Sequence, residues 1–398
     1  MKFDYPNLFI EINEEKIIFL VVKYNEDLEF TVLDTTIINS GGILNGKIID
    51  INVLSKLIKD TLYTIEKKID HIFNSASVVI DHNNINCINI SGYKKISGSQ
   101  VSKQDISYIL NDIKKTIMDK EPNYSLIHLF NSAYTLDGEN IENMPIGLYG
   151  DFYNHHLTCF LILKNDIKNL KQVLNNSHIN IEKVILKPFA QNINKLKKEH
   201  SNKPQFFINI NEKKSDISIF NNLSFIYHEK FNFGTDIIIQ DISKVCSLKI
   251  KEVENIISKI NLGNLNNNQD YLTEEYFIES TFRKISLKHL EDIISARLEE
   301  MINIIYKKNI NLAFLKKKNH SINFSVKEIK FFENIQQFIQ KSLSQSLELN
   351  FSDDNEYEPA TPCLSAAELL GKGWEKEAIP IIQTKKSLIT RIFTSLFH

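Results

Sequence analysis

The chain repeats its own pattern. Three alternating or apolar runs, LFIEIN (8–13), KIIFLVVK (16–23) and LEFTVLD (28–34), are separated by short polar turns and read as an antiparallel meander. A helix is predicted over 50–68, with Asp50 as N-cap and Leu54, Leu57, Ile58 and Ile65 at helical spacing. The strand ASVVID (76–81) follows. The same order returns with QFFININ (205–211), SDISIF (215–220), LSFIYHEK (223–230) and a helix over 235–246. Even the first turns agree: EINEEK (11–16) and NINEKK (209–214) share four of six residues. A unit that recurs in this way predicts a duplicated α/β fold.

Between the repeats lies an insert of a different kind. NCINISG (86–92) reads as a strand and SKQDISYILNDIKKTIMDK (102–120) as a helix. Ser102 and Asp105 have the spacing of a capping box. YSLIHLFNSAY (124–134) and HHLTCFLILK (155–164) are strands. A helix (165–175), a strand (183–187) and a helix (189–198) lead into the second meander. Residues 247–313 read as mostly helical, with a long amphipathic stretch over 286–308. A last unit has strand 321–325, helix 328–343, strand 346–351 and helix 364–371. Segment 372–384 lacks periodicity and reads as a linker.

Composition narrows the function classes. Net charge is −2, so no overall basic field draws nucleic acid. Cys87, Cys159, Cys246 and Cys363 form no CxxC pair, which argues against a zinc site or a disulfide scaffold and suits a reducing compartment. The N-terminal residues show no signal pattern, and no apolar run approaches the roughly 20 residues of a membrane span. Only 12 glycines occur in 398 residues, with none in 151–233 or 264–370. No GxGxxG or GxxxxGK loop can be assembled, so Rossmann and P-loop readings fail. Adjacent His155 and His156 face opposite sides of a strand and cannot chelate together, so no metal site is expected.

Two repeated halves with inserts are the plan of the actin–hexokinase superfamily. GGILNGKIIDINVLSKLIKDTL (41–62), ISGSQVSKQDISYILNDIKK (96–115) and GENIENMPIGLYGDFYNHHLTCFLI (138–162) resemble stretches of the FtsA family of bacterial cell-division proteins. The resemblance implies an actin-like (ribonuclease-H-like) duplicated fold with an inserted small α+β subdomain and a C-terminal amphipathic helix. Its domain plan would be 1–84 plus 165–198 as first half and 85–164 as insert. The second half would be 199–236 plus 314–371, with a helical subdomain at 237–313, a linker at 372–384 and a membrane helix at 385–398.

The tail KKSLITRIFTSLFH (385–398) bears on function. As a helix over 387–397, Leu388, Ile389, Ile392, Phe393, Leu396 and Phe397 share one side. Fourteen helical residues span about 21 Å, too short to cross a bilayer. The segment suits the membrane interface, with Lys385, Lys386 and Arg391 drawn to anionic lipid. The same pattern would suit a helix packed on its own domain. The preceding linker and the family resemblance favour the membrane, and many tails on one filament would bind by avidity.

The resemblance also implies ATP and Mg²⁺, clamped by one hairpin turn from each half. The family pattern Asp-Ile-Gly-Thr-Ser-Lys is here Glu11-Ile12-Asn13-Glu14-Glu15-Lys16. The second, Asp-Ile-Gly-Gly-Gly-Thr-Thr-Asp, is here Asn209-Ile210-Asn211-Glu212-Lys213-Lys214-Ser215-Asp216. Gly-Gly-Asp becomes Phe233-Gly234-Thr235-Asp236, and the ribose-contacting Ala-Glu pair becomes Val253-Glu254. The adenine-side glycine loop becomes NFSVKEI (323–329). The degenerate site would comprise Asn13, Lys16, Ser215, Asp216, Gly234, Thr235 and Glu254. Carboxylates beside a triphosphate oppose binding, so weak or absent ATP binding and no catalytic residue are expected.

The expected function is a non-enzymatic adaptor at the division site, on the cytoplasmic face of the inner membrane. The resemblance implies FtsZ as partner, its C-terminal peptide docking near 237–312. It also implies actin-like self-association partly through the insert, anionic lipid, and other division proteins. An ATPase or kinase of the superfamily, and an actin-like scaffold of a pilus or secretion apparatus, are the alternatives.

Overall fold

The computed structural model describes residues 5–198, 203–259, 271–326, 339, 343, 348–352 and 359–377. They fall into two compact units. The first holds the described residues of 5–198, 220–228 and 359–377, and the second those of 203–219 and 229–352.

The first unit opens with β1 (Asn7–Ile12), β2 (Lys16–Tyr24) and β3 (Phe30–Asn39), an antiparallel meander. A small hairpin, β4 (Ile43–Leu44) and β5 (Lys47–Ile48), precedes α1 (Ile51–Ile69) and β6 (Ser75–Ile80). Gly42 sits at φ +76, and a Cβ there would lie 2.4 Å from the Asp50 carbonyl oxygen, so the hairpin entry requires glycine. The insert runs β7 (Asn86–Gln100), α2 (Lys103–Lys120), β8 (Tyr124–Leu136), β9 (Glu139–Ile141) and β10 (Tyr149–Leu163). Then come α3 (Lys164–Asn176), β11 (Asn180–Leu186), α4 (Lys187–Ala190) and α5 (Ile193–Lys198). β6 and β11 join β1 in parallel, giving the order β11-β6-β1-β2-β3.

The second meander is β12 (Gln205–Ile210), β13 (Ser215–Asn221) and β14 (Ser224–Phe231). It is followed by α6 (Asp236–Cys246), α7 (Ile250–Lys259), α8 (Leu287–Ile302), β15 (Ser321–Val326) and β16 (Glu348–Ser352). Its sheet order is β14-β13-β12-β15-β16, with β12, β15 and β16 parallel. Both sheets thus read third, second, first, then two parallel strands. The duplication seen in the sequence pattern is a duplication of topology.

Capping behaves as expected. The Asp50 side chain accepts from the Val53 amide at 3.0 Å. Ser102 and Asp105 form both bonds of the capping box. In the insert, a sheet of order β7-β10-β8-β9 lays one face on α2. Ile106, Ile109, Leu110 and Ile113 of the helix meet Tyr153, Leu157 and Leu161 of β10 in one core. β1 and β2 are almost wholly buried, which explains their continuous apolar runs.

Some expectations need correction. β7 continues to Gln100 rather than ending at 92, because the partner strand β10 extends far enough to pair with it. The stretch predicted as one helix over 286–308 is α-helical to Ile302 and then widens into a π turn, Asn303–Lys307. There the Lys316 ammonium caps the carbonyls of Tyr306 and Lys307. The helix predicted at 364–371 spans α9 (Thr361–Lys372) and belongs to the first unit, not the second half. Its buried small residues Ser365, Ala366 and Ala367 allow close packing on β1, β2 and β6. Tyr24 donates to its Ala367 carbonyl at 2.7 Å. The predicted helix at 328–343 and the tail at 385–398 lie outside the described residues, apart from Ile339 and Leu343.

Candidate functional site

The first hairpin turn is closed by its own asparagine. The Asn13 amide donates to the Lys16 carbonyl at 3.2 Å. Its side-chain Oδ1 accepts from the amides of Glu15 and Lys16 at 3.0 and 2.8 Å. Its Nδ2 donates to Glu11 Oε1 at 2.9 Å. Glu11 is 1% exposed, on the strand just before the turn. The Lys187 ammonium, from the start of α4, reaches the same Oε1 at 2.9 Å. Burying a carboxylate is costly unless a counter-charge goes with it, and Lys187 is that charge. Glu11 Oε2 has no hydrogen-bond donor among the described residues. Lys16 is exposed.

The second turn has the same backbone bond, Asn211 N–H to the Lys214 carbonyl at 2.9 Å. Its side chains are committed elsewhere. Ser215 is fully buried and donates to the Phe233 carbonyl at 2.8 Å. Asp216 Oδ1 accepts from Asn209 Nδ2 at 2.9 Å. The head of α6 is tied to this turn. Thr235 N–H donates to the Asn211 carbonyl and Asp236 N–H to the Glu212 carbonyl, each at 2.9 Å. Ile237 and Ile238 donate to the carbonyls of Gly234 and Thr235. A helix ordinarily leaves its first four amides without an intrahelical partner. Here the chain supplies acceptors for all of these. Gly234 makes the approach possible, since a Cβ would lie 2.1 Å from the Asn211 oxygen.

Asn13, Glu11 and Lys187 are therefore gathered at one turn, and Ser215, Asp216, Gly234 and Thr235 at the other. Glu254 is exposed on α7 and joins neither. Its neighbour two residues back is the anchored one. Glu252 is 1% exposed and accepts from the amides of Lys249, Glu279 and Ser280 and from the Ser280 hydroxyl. Burial alone would raise its carboxyl, but these donors pull it down to about 2. Asn323 to Val326 of the adenine-side segment lie in β15. His155 points inward, its Nε2 on Asn131 Oδ1 at 2.9 Å, while His156 faces Ser91 at 2.6 Å. Among the described residues, no three His, Cys, Asp or Glu side chains gather as metal ligands.

Sequence reasoning missed a buried ionic cluster where the chain leaves α9. Residues 374–377 were read as linker, yet Glu377 is 3% exposed and pairs with Phe130 of β8 as an isolated bridge. His128 Nδ1 lies 2.5 Å from Glu377 Oε1, and Lys183 Nζ lies 3.7 Å from it. His128 Nε2 accepts from the Leu186 amide at 3.0 Å, so the proton sits on Nδ1 and the ring is neutral. Burial lowers the His128 pKa, with Glu377 opposing. Burial would raise Glu377, but Lys183 and His128 lower it. Trp374 Nε1 donates to the Leu223 carbonyl at 2.6 Å. The only sequence signal was a tryptophan amid charged residues, which periodicity does not register.

A family model described as "SHS2 domain inserted in FTSA" matches residues 83–157, the insert between β6 and α3. Cell division protein FtsA of Buchnera aphidicola subsp. Acyrthosiphon pisum is 24% identical over 313 residues, 76% of this chain and 72% of its own. The protein of that name from Neisseria meningitidis serogroup B is 21% identical over 300 residues, 74% of this chain and 72% of its own. Among solved structures, a chain of the PilM-PilN type IV pilus biogenesis complex matches with a TM-score of 0.54 and 9% identity. That match covers 92% of this chain and 98% of the other, and shows the fold alone. The fold is α/β and actin-like, with an SHS2 insert.

Proposed function

We propose that this chain, which belongs to the FtsA family as a divergent member, is a cell-division adaptor that tethers FtsZ filaments to the membrane. The observation that carries the reading is the FtsA-type insert at 83–157, set between β6 and α3 of the first actin-like half. A cell-division role is what the relatives share by name. The tethering role adds two elements of sequence. One is the helical region near 237–312, where the C-terminal peptide of FtsZ docks. The other is the tail, where Lys385, Lys386, Leu388, Ile389, Arg391, Ile392, Phe393, Leu396 and Phe397 meet anionic lipid. Among the described residues no helix is long and apolar enough to cross a membrane. The chain works at the cytoplasmic face of the inner membrane, self-associates as an actin-like polymer and acts as a scaffold, not an enzyme.

The test is binding of a labelled FtsZ C-terminal peptide to the full chain, read by fluorescence anisotropy. The reading expects saturable binding, competed by unlabelled peptide and unaffected by removal of 385–398. No binding at protein concentrations of several hundred micromolar would remove FtsZ as the partner.

A further inference from the structure

We propose that both hairpin turns are sealed by the chain's own groups, so that the protein holds its folded state with neither nucleotide nor metal. The inference deepens the scaffold reading and rests on it.

A turn that cradles phosphate points backbone amides at the oxygens, and a helix head offers its free N–H groups to them. Here several of these donors are already taken by the chain itself. At the first turn, the Glu15 and Lys16 amides donate to Asn13 Oδ1. The buried Glu11 carboxylate, which a divalent cation would otherwise neutralise, takes the Lys187 ammonium at 2.9 Å on Oε1, and its Oε2 alone has no donor among the described residues. At the second turn, the α6 amides of Thr235 and Asp236 donate to the Asn211 and Glu212 carbonyls. Gly234 lies so close to that turn that even a methyl group finds no space. Asp236 adds a carboxylate in the first helical turn, where an incoming anion would meet like charge. A phosphate at either turn would have to break the bonds there and replace them. The residues do not fit the nucleotide. The chain's own carbonyls, side-chain amide and ammonium take the groups that a ligand would use.

Thermal unfolding of the full chain, with and without millimolar ATP and Mg²⁺, tests this directly, with phosphate release measured in parallel. The expected result is a melting temperature unchanged within about 1 °C, because a ligand that does not bind the native state cannot stabilise it. A saturable rise of more than about 2 °C would overturn the sealed-turn inference. A rise without phosphate release leaves the scaffold reading standing, whereas release with multiple turnovers ends both. Lys187→Met tests the internal cation. It should lower the melting temperature by roughly 5–10 °C, since the buried Glu11 carboxylate is left without its counter-charge. Glu11→Gln with Lys187→Met should recover most of that loss. A single variant that melts like the parent would show that Lys187 is not the counter-ion. The nucleotide arm uses the parent chain alone, so it stands even where a variant fails to fold.

Discussion

Asn13 and Gly234 do opposite jobs in the two turns. Asn13 brings a side chain that satisfies the backbone around it. Gly234 withholds one, so that α6 can dock its amides on the turn. The shortage of glycine in both turns, EINEEK (11–16) and NINEKK (209–214), was legible in the sequence. What was not legible was where the polar groups go. Lys187 lies 176 residues from Glu11 in sequence, and no spacing rule connects them. Gly234→Ala should destabilise by about 1–3 kcal/mol, as overpacking against fixed backbone does. Urea denaturation of the full chain reads this. A midpoint within error of the parent would mean the α6 head docks less closely than the geometry indicates.

At the scale of elements, helices with capping residues were found within a residue or two, because Asp50 and Ser102 announce a backbone bond that the structure contains. Strand lengths were harder. β7 carries Lys94, Lys95 and Ser97 in its outer half, and pairing with β10, not local propensity, keeps it extended. The segment after α9 was misread for the same reason, since its burial comes from β8 and β11. That segment gives the fold a pH signature. His128 is neutral when folded and binds a proton more readily when unfolded, as do the buried His82 and His155. The unfolded state then gains protons first as pH falls, so stability drops below the ordinary value of 6.5. Each such histidine contributes at most about 1.4 kcal/mol per pH unit. Denaturation between pH 8 and 5.5 should show this slope, and His128→Gln should flatten it. An unchanged slope in the variant would mean that His128 binds its proton equally well in the folded and unfolded protein.

At the scale of the molecule, the duplication was the most legible fact and the most useful one. Strand order β3-β2-β1-β6-β11 matches β14-β13-β12-β15-β16, as the repeated meander foretold. The insert between β6 and α3 is the part of the chain that matches the SHS2 domain inserted in FTSA. Its position was readable, because the meander's parallel strand is followed by a second pattern before the repeat resumes. The division of the last segment was not, since α9 returns to the first unit through packing that the chain order hides. The proposed tethering needs two contacts, the tail at 385–398 with the membrane and the region near 237–312 with FtsZ. The direct measurement is sedimentation of FtsZ polymers with anionic lipid vesicles, comparing the full chain with one ending at Thr384. The full chain should carry FtsZ into the vesicle fraction, and the shortened chain should leave it behind while still binding the FtsZ peptide. FtsZ that stays off the vesicles in the presence of the full chain would contradict the tethering function.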